Sequence, residues 1–238
     1  MGLILNIETS TTVCSVCIAK DGKLIGIKES EEEKSHAKKL TGFIDELLKE
    51  HGIAYNDLDA IAVDKGPGSY TGLRIGVSTA KGLCYARDLP LIAINTLQSM
   101  AFGIINNIKA KSIHIDDFDD VMLVPMIDAR RMEVYSAFFN SNGDFEREVK
   151  AEIIDEDSYQ EILKNRKMLF FGDGSEKIHE IVNHEKAVFI ENIQPSSKDM
   201  IELSESNFSS KQFEDVAYFE PFYLKDFVAT IPKKNIFN

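Results

Sequence analysis

The sequence has no apolar run of 18 residues, and its first residues pass straight into a strand-like segment with no basic stretch ahead of it. Neither a membrane span nor a secretion signal is expected, which places the chain in the cytoplasm. Cysteines are few and odd in number, three in all, which suits a reducing compartment. Basic charge is short as well: 27 lysines and arginines stand against 39 aspartates and glutamates, a net charge of −12. That balance excludes a chain that grips a phosphate backbone unaided, so any nucleic acid must be held by a more basic partner. Signatures of independent catalysis are also missing. Ser69 sits in Gly-Pro-Gly-Ser-Tyr and Ser175 in Gly-Asp-Gly-Ser-Glu, neither of them a G-x-S-x-G elbow. His179 and His184 fall about 140° apart around a helix and cannot share a metal, and His36, His51 and His114 are scattered. Asp116, Asp117, Asp119 and Asp120 lack the Gly and distal Glu of an EF-hand loop and read as a solvated loop.

What is present centres on Lys65-Gly66-Pro67-Gly68-Ser69-Tyr70-Thr71-Gly72-Leu73-Arg74-Ile75-Gly76, which follows the buried-strand pattern Ala60-Ile61-Ala62-Val63. Pro67 between glycines excludes helix and favours a tight turn, and helical spacing runs from Thr71 to about Arg87. Strand, glycine turn and helix form a context in which backbone N–H groups cradle phosphate. The glycine spacing, however, matches neither G-x-G-x-x-G nor a P-loop. Gly68, Gly72, Gly76, Ala80 and Cys84 recur every fourth residue and so line one side of the helix. Two interior glycines cost that helix about 2 kcal/mol against alanine, so close packing must offset them. Spacing alone leaves open whether the packed partner lies in this chain or in another subunit.

The remaining pattern is modular. Strands are expected at Leu3–Ile7, Val13–Ala19 and Leu24–Glu29, with Asp21-Gly22 as the hairpin signal between the last two. Glu8-Thr9-Ser10-Thr11-Thr12, between the first two, is an acidic, hydroxyl-rich turn able to hold a metal-bound phosphate or to be an ordinary polar hairpin. Ser30 to Lys39 is a charged approach to an amphipathic helix carrying Leu40, Phe43, Ile44, Leu47 and Leu48. Strand Leu91–Ile94 and a helix over about Thr96–Asn106 close the first half. At Met122 the opening returns: strand, Asp128, strand, the hairpin signal Asn142-Gly143, strand. Asp128 follows Glu8 by 120 residues, while Val134, Ser136 and Gly143 follow Val13, Ser15 and Gly22 by 121. A repeat of that length implies two similar lobes, 1–108 and 121–238, of βββαβα type. The expected α/β chain resembles the two-lobed plan of actin, sugar kinases and Hsp70 (ASKHA), with its second lobe reduced. Helices near Ser158–Asn165, Glu176–Val182 and Lys198–Phe208 are expected there. In that plan the paired acidic turns hold Mg²⁺ and phosphate between the lobes, which nominates Glu8, Thr9, Ser10, Gly66, Gly68 and Asp128 as a vestigial phosphate site. Cys14-x-x-Cys17 lies in a strand, where residues three apart face opposite ways, so the two read as core residues.

Ile7-Glu8-Thr9-Ser10-Thr11, the glycine turn, Leu91-Ile92-Ala93-Ile94-Asn95-Thr96-Leu97, Ile127-Asp128-Ala129-Arg130-Arg131-Met132-Glu133-Val134-Tyr135 and Pro221-Phe222-Tyr223-Leu224-Lys225 together resemble the TsaB (YeaZ) family. The resemblance runs from Met1 to about Ile231, specific over the first 140 residues and looser from Glu146 to Glu214. It implies a cytoplasmic, non-catalytic subunit needed for N6-threonylcarbamoyladenosine at position 37 of tRNAs that read ANN codons. It also implies pairing with the catalytic paralogue TsaD, a P-loop ATPase, TsaE, joining that pair, and a homodimer when TsaD is absent. tRNA is met only through the complex, and no cofactor or metal of the chain's own is implied, ATP belonging to the complex. Where TsaD-like chains place a metal-binding H-x-x-x-H, this one reads Asn95-Thr96-Leu97-Gln98-Ser99-Met100, without histidine. Glu8 stands where many ASKHA proteins have Asp.

The same resemblance implies pairing through helices of the first lobe. The expected interface is Leu40, Phe43, Ile44, Leu47, Gly72, Ile75, Gly76, Thr79 and Ala80, and Gly76→Arg is expected to abolish pairing with the fold intact. Two other classes compete: an autonomous ASKHA phosphotransferase using Glu8, Asp128 and the Gly66–Gly72 turn, and a glycoprotease-like metallopeptidase, for which no ligand set is in the sequence.

Overall fold

Apolar strands, most of them buried along nearly their whole length, form two five-stranded sheets in a computed structural model that describes residues 1–32 and 36–224. The first sheet is formed by β1 (Leu3–Glu8), β2 (Cys14–Lys20), β3 (Lys23–Ser30), β4 (Ala60–Gly66) and β5 (Leu91–Asn95), in the order β3-β2-β1-β4-β5. The second is formed by β6 (Met122–Asp128), β7 (Glu133–Phe139), β8 (Phe145–Ile153), β9 (Met168–Phe171) and β10 (Ala187–Ile190), in the order β10-β9-β6-β7-β8. Taken from the opposite edge, the second order repeats the first strand for strand. In each sheet the first two strands pair antiparallel and the first and fourth pair parallel. The repeat extends to a hydrogen bond: Ser15 Oγ donates to Glu29 Oε1 at 2.8 Å, and Ser136 Oγ donates to Glu152. This is the ASKHA plan, each unit carrying one more strand and helix than βββαβα.

The helices show where the second lobe is reduced. Between its third and fourth strands the first lobe has α1 (His36–Glu50), and after β4 it has α2 (Tyr70–Arg87). The equivalents in the second lobe are single turns, α4 (Gln160–Leu163) and α5 (Asp173–Glu176). The expected helices over Ser158–Asn165 and Glu176–Val182 are therefore shorter than the spacing suggests, the latter breaking into turns after Glu176. α1 begins four residues before Leu40; residues 33–35 of the charged approach lie outside the described residues. α3 (Thr96–Lys109) packs against β6 as well as its own sheet and joins the lobes.

The expected boundary of the second lobe, 121–238, is corrected in one respect. The turn Ser197–Met200 and α6 (Ile201–Ser209) lie on the first sheet, where Met200, Leu203 and Phe208 pack on Ile4, Ala60, Ala62, Ile92 and Ile94. An apolar helix face does not specify which sheet it covers, and here it covers the earlier one. The chain then continues along the first lobe: Glu214 N–H donates to Leu91 O at 2.9 Å, and Phe222 N–H to Lys65 O at 2.7 Å. Lys81 Nζ donates to Ala217 O and Phe219 O at 3.2 and 2.8 Å. Of the expected C-terminal stretch, Pro221–Leu224 is described and Lys225 lies outside.

Cys14 packs in the α1/α2 core and Cys17 on the opposite face with Ile201, as the strand reading requires. Burial pushes the Cys14 thiol up to about 11 and Cys17 and Cys84 to about 12. The folded chain is accordingly expected to be unreactive to Ellman's reagent at pH 8 and to release three thiols in denaturant. No helix among the described residues is long and apolar enough to cross a membrane.

Candidate functional site

Alternation along β1 puts Ile4, Asn6 and Glu8 on the face covered by α6, and along β4 it puts Ala60, Ala62 and Asp64 on the same face. Asn6 pairs with Ala62 in the parallel register, which brings Glu8 beside Asp64 one step further on. Both carboxyls are fully buried. Thr9 N–H donates to Asp64 Oδ1 at 2.9 Å and Ser10 N–H to Glu8 Oε1 at 2.7 Å. The other oxygen of each acid has no partner, nor have Asn6 Oδ1, Ser10 Oγ and Thr96 Oγ1. No ion pair reaches either acid among the described residues. Burial raises the Glu8 carboxyl to about 7, and burial with the Glu8 charge raises Asp64 well above the carboxylate range. Asp64 escaped sequence reading; its signal was a charge closing the apolar run Ala60–Val63.

The glycine turn closes over this pair. Ser69 N–H donates to Ser10 O at 2.6 Å, Ser69 Oγ accepts from Gly72 N–H at 3.3 Å, and Leu73 N–H donates to Ser69 O at 2.9 Å. A β-carbon on Gly68 would lie 2.4 Å from Ser10 O, one on Gly72 2.1 Å from Thr9 O, and one on Gly76 2.3 Å from Thr9 Oγ1. The fourth-residue stripe is thus the seat of the Thr9-Ser10 turn, and the packed partner is internal. This corrects the expected interface: Gly72, Gly76 and Ala80, with Leu40, Ile44 and Leu47, face inward and are buried. Phe43, Ile75 and Thr79 stay partly exposed. Gly76→Arg would consequently disrupt the fold rather than test pairing.

The nominated phosphate residues divide in two. Glu8, Thr9, Ser10 and Gly68 come together, but the N–H groups of residues 9, 10, 69, 72 and 73 are already bonded inside the chain. A phosphate held there would have to compete for those donors. Gly66 lies under Leu73 and the Phe222 carbonyl. Asp128 is half-exposed at the end of β6 and pairs with Lys177 Nζ at 2.5 Å. Two cavities stand out. One of about 210 Å³ is lined by Glu29, Met100, Gly103, Gln194, Ser196 and Asp199, and one of about 340 Å³ by Ser175, Glu176, His179, Phe189 and Glu191. Neither is lined by a nominated residue. No group of three His, Cys, Asp or Glu side chains is placed to hold a metal among the described residues.

The outer face of the first lobe is built differently. Gly42 on α1 and Gly82 on α2 have open space where a β-carbon would project. Ser78, Gly82 and Ala86 form a second fourth-residue stripe, all exposed, beside Tyr85 at 87% exposure. This outward stripe was legible in the spacing and was overshadowed by the longer glycine-rich one.

A family model described as TsaD, tRNA N6-adenosine threonylcarbamoyltransferase, matches residues 15–233. The chain is 33% identical to a tRNA threonylcarbamoyladenosine biosynthesis protein TsaB of Bacillus subtilis, over 71% of this chain and 70% of that one. It is 29% identical to the Escherichia coli TsaB over 95% and 96% of the two chains. It is 37% identical to the Haemophilus influenzae TsaB over 56% of this chain and 51% of that one. Among solved structures, YeaZ from Pseudomonas aeruginosa superposes with a TM-score of 0.77 at 22% identity, covering 94% of this chain and 100% of that one, a likeness of fold.

Proposed function

The chain belongs to the TsaB (YeaZ) family, and we propose that it is the non-catalytic subunit that binds and activates a TsaD-type paralogue for threonylcarbamoyl transfer to tRNA adenosine in the cytoplasm. The observation that carries this reading is the contrast between its two glycine stripes. The inner one closes the polar centre, leaving the Glu8–Asp64 pair without a free backbone donor. The outer one leaves α2 with an exposed stripe of small residues, Ser78, Gly82 and Ala86, against which another helix can pack closely. A chain that keeps the ASKHA plan with its phosphate turn sealed is suited to present a surface. On this reading the outer face receives the paralogue, a second copy of the chain when the paralogue is absent, and a P-loop ATPase joins the pair. ATP and tRNA are engaged by the assembly. The autonomous phosphotransferase is the less supported reading, since the Thr9, Ser10 and Ser69 N–H groups are already bonded within the chain.

Mixing the pure chain with its own organism's TsaD-family protein, followed by size exclusion with light scattering with and without ATP, tests the reading. A one-to-one complex that modifies tRNA once the ATPase is added supports it; no complex under any condition, with ATP hydrolysis by this chain alone, sinks it. The sharper test is Gly82→Arg. The position is open and exposed, and arginine is about 1 kcal/mol better than glycine inside a helix. The variant should therefore melt no lower than the parent and yet fail to pair. Normal pairing would move the interface off α2.

A further inference from the structure

The cavity of about 210 Å³ lies where the two lobes meet. Its walls come from the end of β3, from α3 and from residues 192–199, the stretch that leads from β10 of the second sheet back to the first. Hydroxyls tie that return to the first lobe. Ser196 Oγ donates to Glu29 Oε1 at 2.6 Å, and Ser197 N–H donates to Ser15 Oγ at 2.9 Å. Bonded segments of both lobes therefore frame the space.

The groups that face it are short of donors. Asp199 is set against Gly103 of α3, where a β-carbon would lie 2.7 Å from the carboxyl carbon and from Oδ2. No hydrogen bond or ion pair reaches that carboxyl among the described residues; Lys198, beside it in sequence, is exposed. Gln194 lines the same cavity, and its Oε1 is buried without a donor. Buried acceptors left this way cost free energy until a donor reaches them. Glu29 and Glu31, both exposed, stand at the mouth, and the buried Met100 and Ile104 supply an apolar wall.

Spacing and size select the cation that would satisfy them. No three carboxylates, histidines or cysteines among the described residues come together to hold a metal ion, so the acceptors are spread along the cavity instead of gathered around a point. The volume is about that of seven waters at about 30 Å³ each, below the range of pockets for drug-sized ligands. Negative groups at floor and mouth, with an apolar wall between them, match a short chain that carries a positive charge at each end.

We propose that this cavity binds a small aliphatic diamine, with one ammonium donating to Asp199 and Gln194 at the floor, the other meeting Glu29 and Glu31 at the mouth, and the methylenes lying on Met100 and Ile104. The site stands apart from the exposed stripe of α2. Its walls come from both lobes, so a bound diamine braces one lobe against the other.

The test is calorimetric titration of the full chain with 1,4-diaminobutane in low salt at pH 8, above the value of about 7 to which burial raises the Asp199 carboxyl. Saturable one-to-one binding and a rise in melting temperature are expected. Asp199→Asn keeps the shape and removes the charge, so it should melt no lower than the parent and bind at least about tenfold more weakly. Glu31→Gln, on the exposed rim, should leave the fold untouched and weaken binding by a smaller factor. n-Butylamine, with one charge, should bind more weakly than the diamine, and equimolar Mg²⁺ should not displace it. No binding to the parent chain at millimolar diamine overturns the site. Undiminished binding in Glu31→Gln, or in folded Asp199→Asn, also overturns it and leaves only general attraction to a chain of net charge −12. Equal affinity for n-butylamine overturns the two-ended arrangement, and displacement by Mg²⁺ overturns the organic cation in favour of a metal.

Discussion

One methyl group at Gly72 is expected to lower the stability of this protein by about 3 kcal/mol, at the upper end of the usual penalty for overpacking. Its β-carbon would stand 2.1 Å from the Thr9 carbonyl oxygen, a backbone atom that moves only if the turn moves. Thr9 and Ser10 are fully buried and their N–H groups are bonded to Asp64 and Glu8, so displacing the turn strips two buried carboxyls of their donors. Gly68→Ala meets the Ser10 carbonyl at 2.4 Å and should cost nearly as much. Gly76→Ala meets a threonine hydroxyl, which can rotate, and should cost less. Gly82→Ala is the control: with nothing within 4 Å it should gain about 1 kcal/mol from helix propensity. Urea midpoints for the four variants check the order. If all four shifted together, the glycines would be acting through helix propensity alone, and the inner packing would have been misread.

That series also marks how far the sequence carries the fold and the site. Hairpins were legible because Asp21-Gly22 and Asn142-Gly143 have the residues their backbones need, and the offset from Glu8 to Asp128 exposed the duplication before any strand was paired. Spacing likewise placed Cys14 and Cys17 on opposite faces. It also placed Gly72 and Gly76 on one side of a helix, but a period says which residues share a side and nothing of what that side meets. The same limit applies to α6, whose apolar residues read correctly as helix and incorrectly as second lobe. Asp64 was hidden because a single charge at the end of a buried strand resembles the start of a loop. The left-handed backbone of Arg130 and Arg131 (φ 72° and 55°) was hidden because turn chemistry is read from glycine, asparagine and aspartate, and arginine announces nothing. What was missed was therefore of two kinds: contacts distant in sequence, and residues standing where local rules would not put them.

The second large effect concerns pH. Glu8 is neutral in the fold up to about pH 7, whereas in the unfolded chain it ionises near 4.5. A carboxyl whose folded value is raised binds its proton more tightly in the native state, so native stability falls as pH rises between those two values. At about 1.4 kcal/mol per pH unit, the loss from Glu8 is about 3 kcal/mol between pH 4.5 and pH 7. Asp64 shifts the same way, and Asp199, raised to about 7 by burial against α3, adds to the slope. The chain should thus be more stable to urea at pH 5 than at pH 8, the reverse of a protein whose acids are paired with bases. Glu8→Gln keeps an oxygen to accept from Ser10 N–H and replaces the ionisable group, so it should remove much of the slope and raise stability at pH 8. A stability profile flat from pH 5 to pH 8 in the parent would mean that Glu8 and Asp64 are ionised in the folded chain. Two buried carboxylates so close together persist only if a cation neutralises them, and the sealed turn would then be a closed ion site instead of a protonated pair.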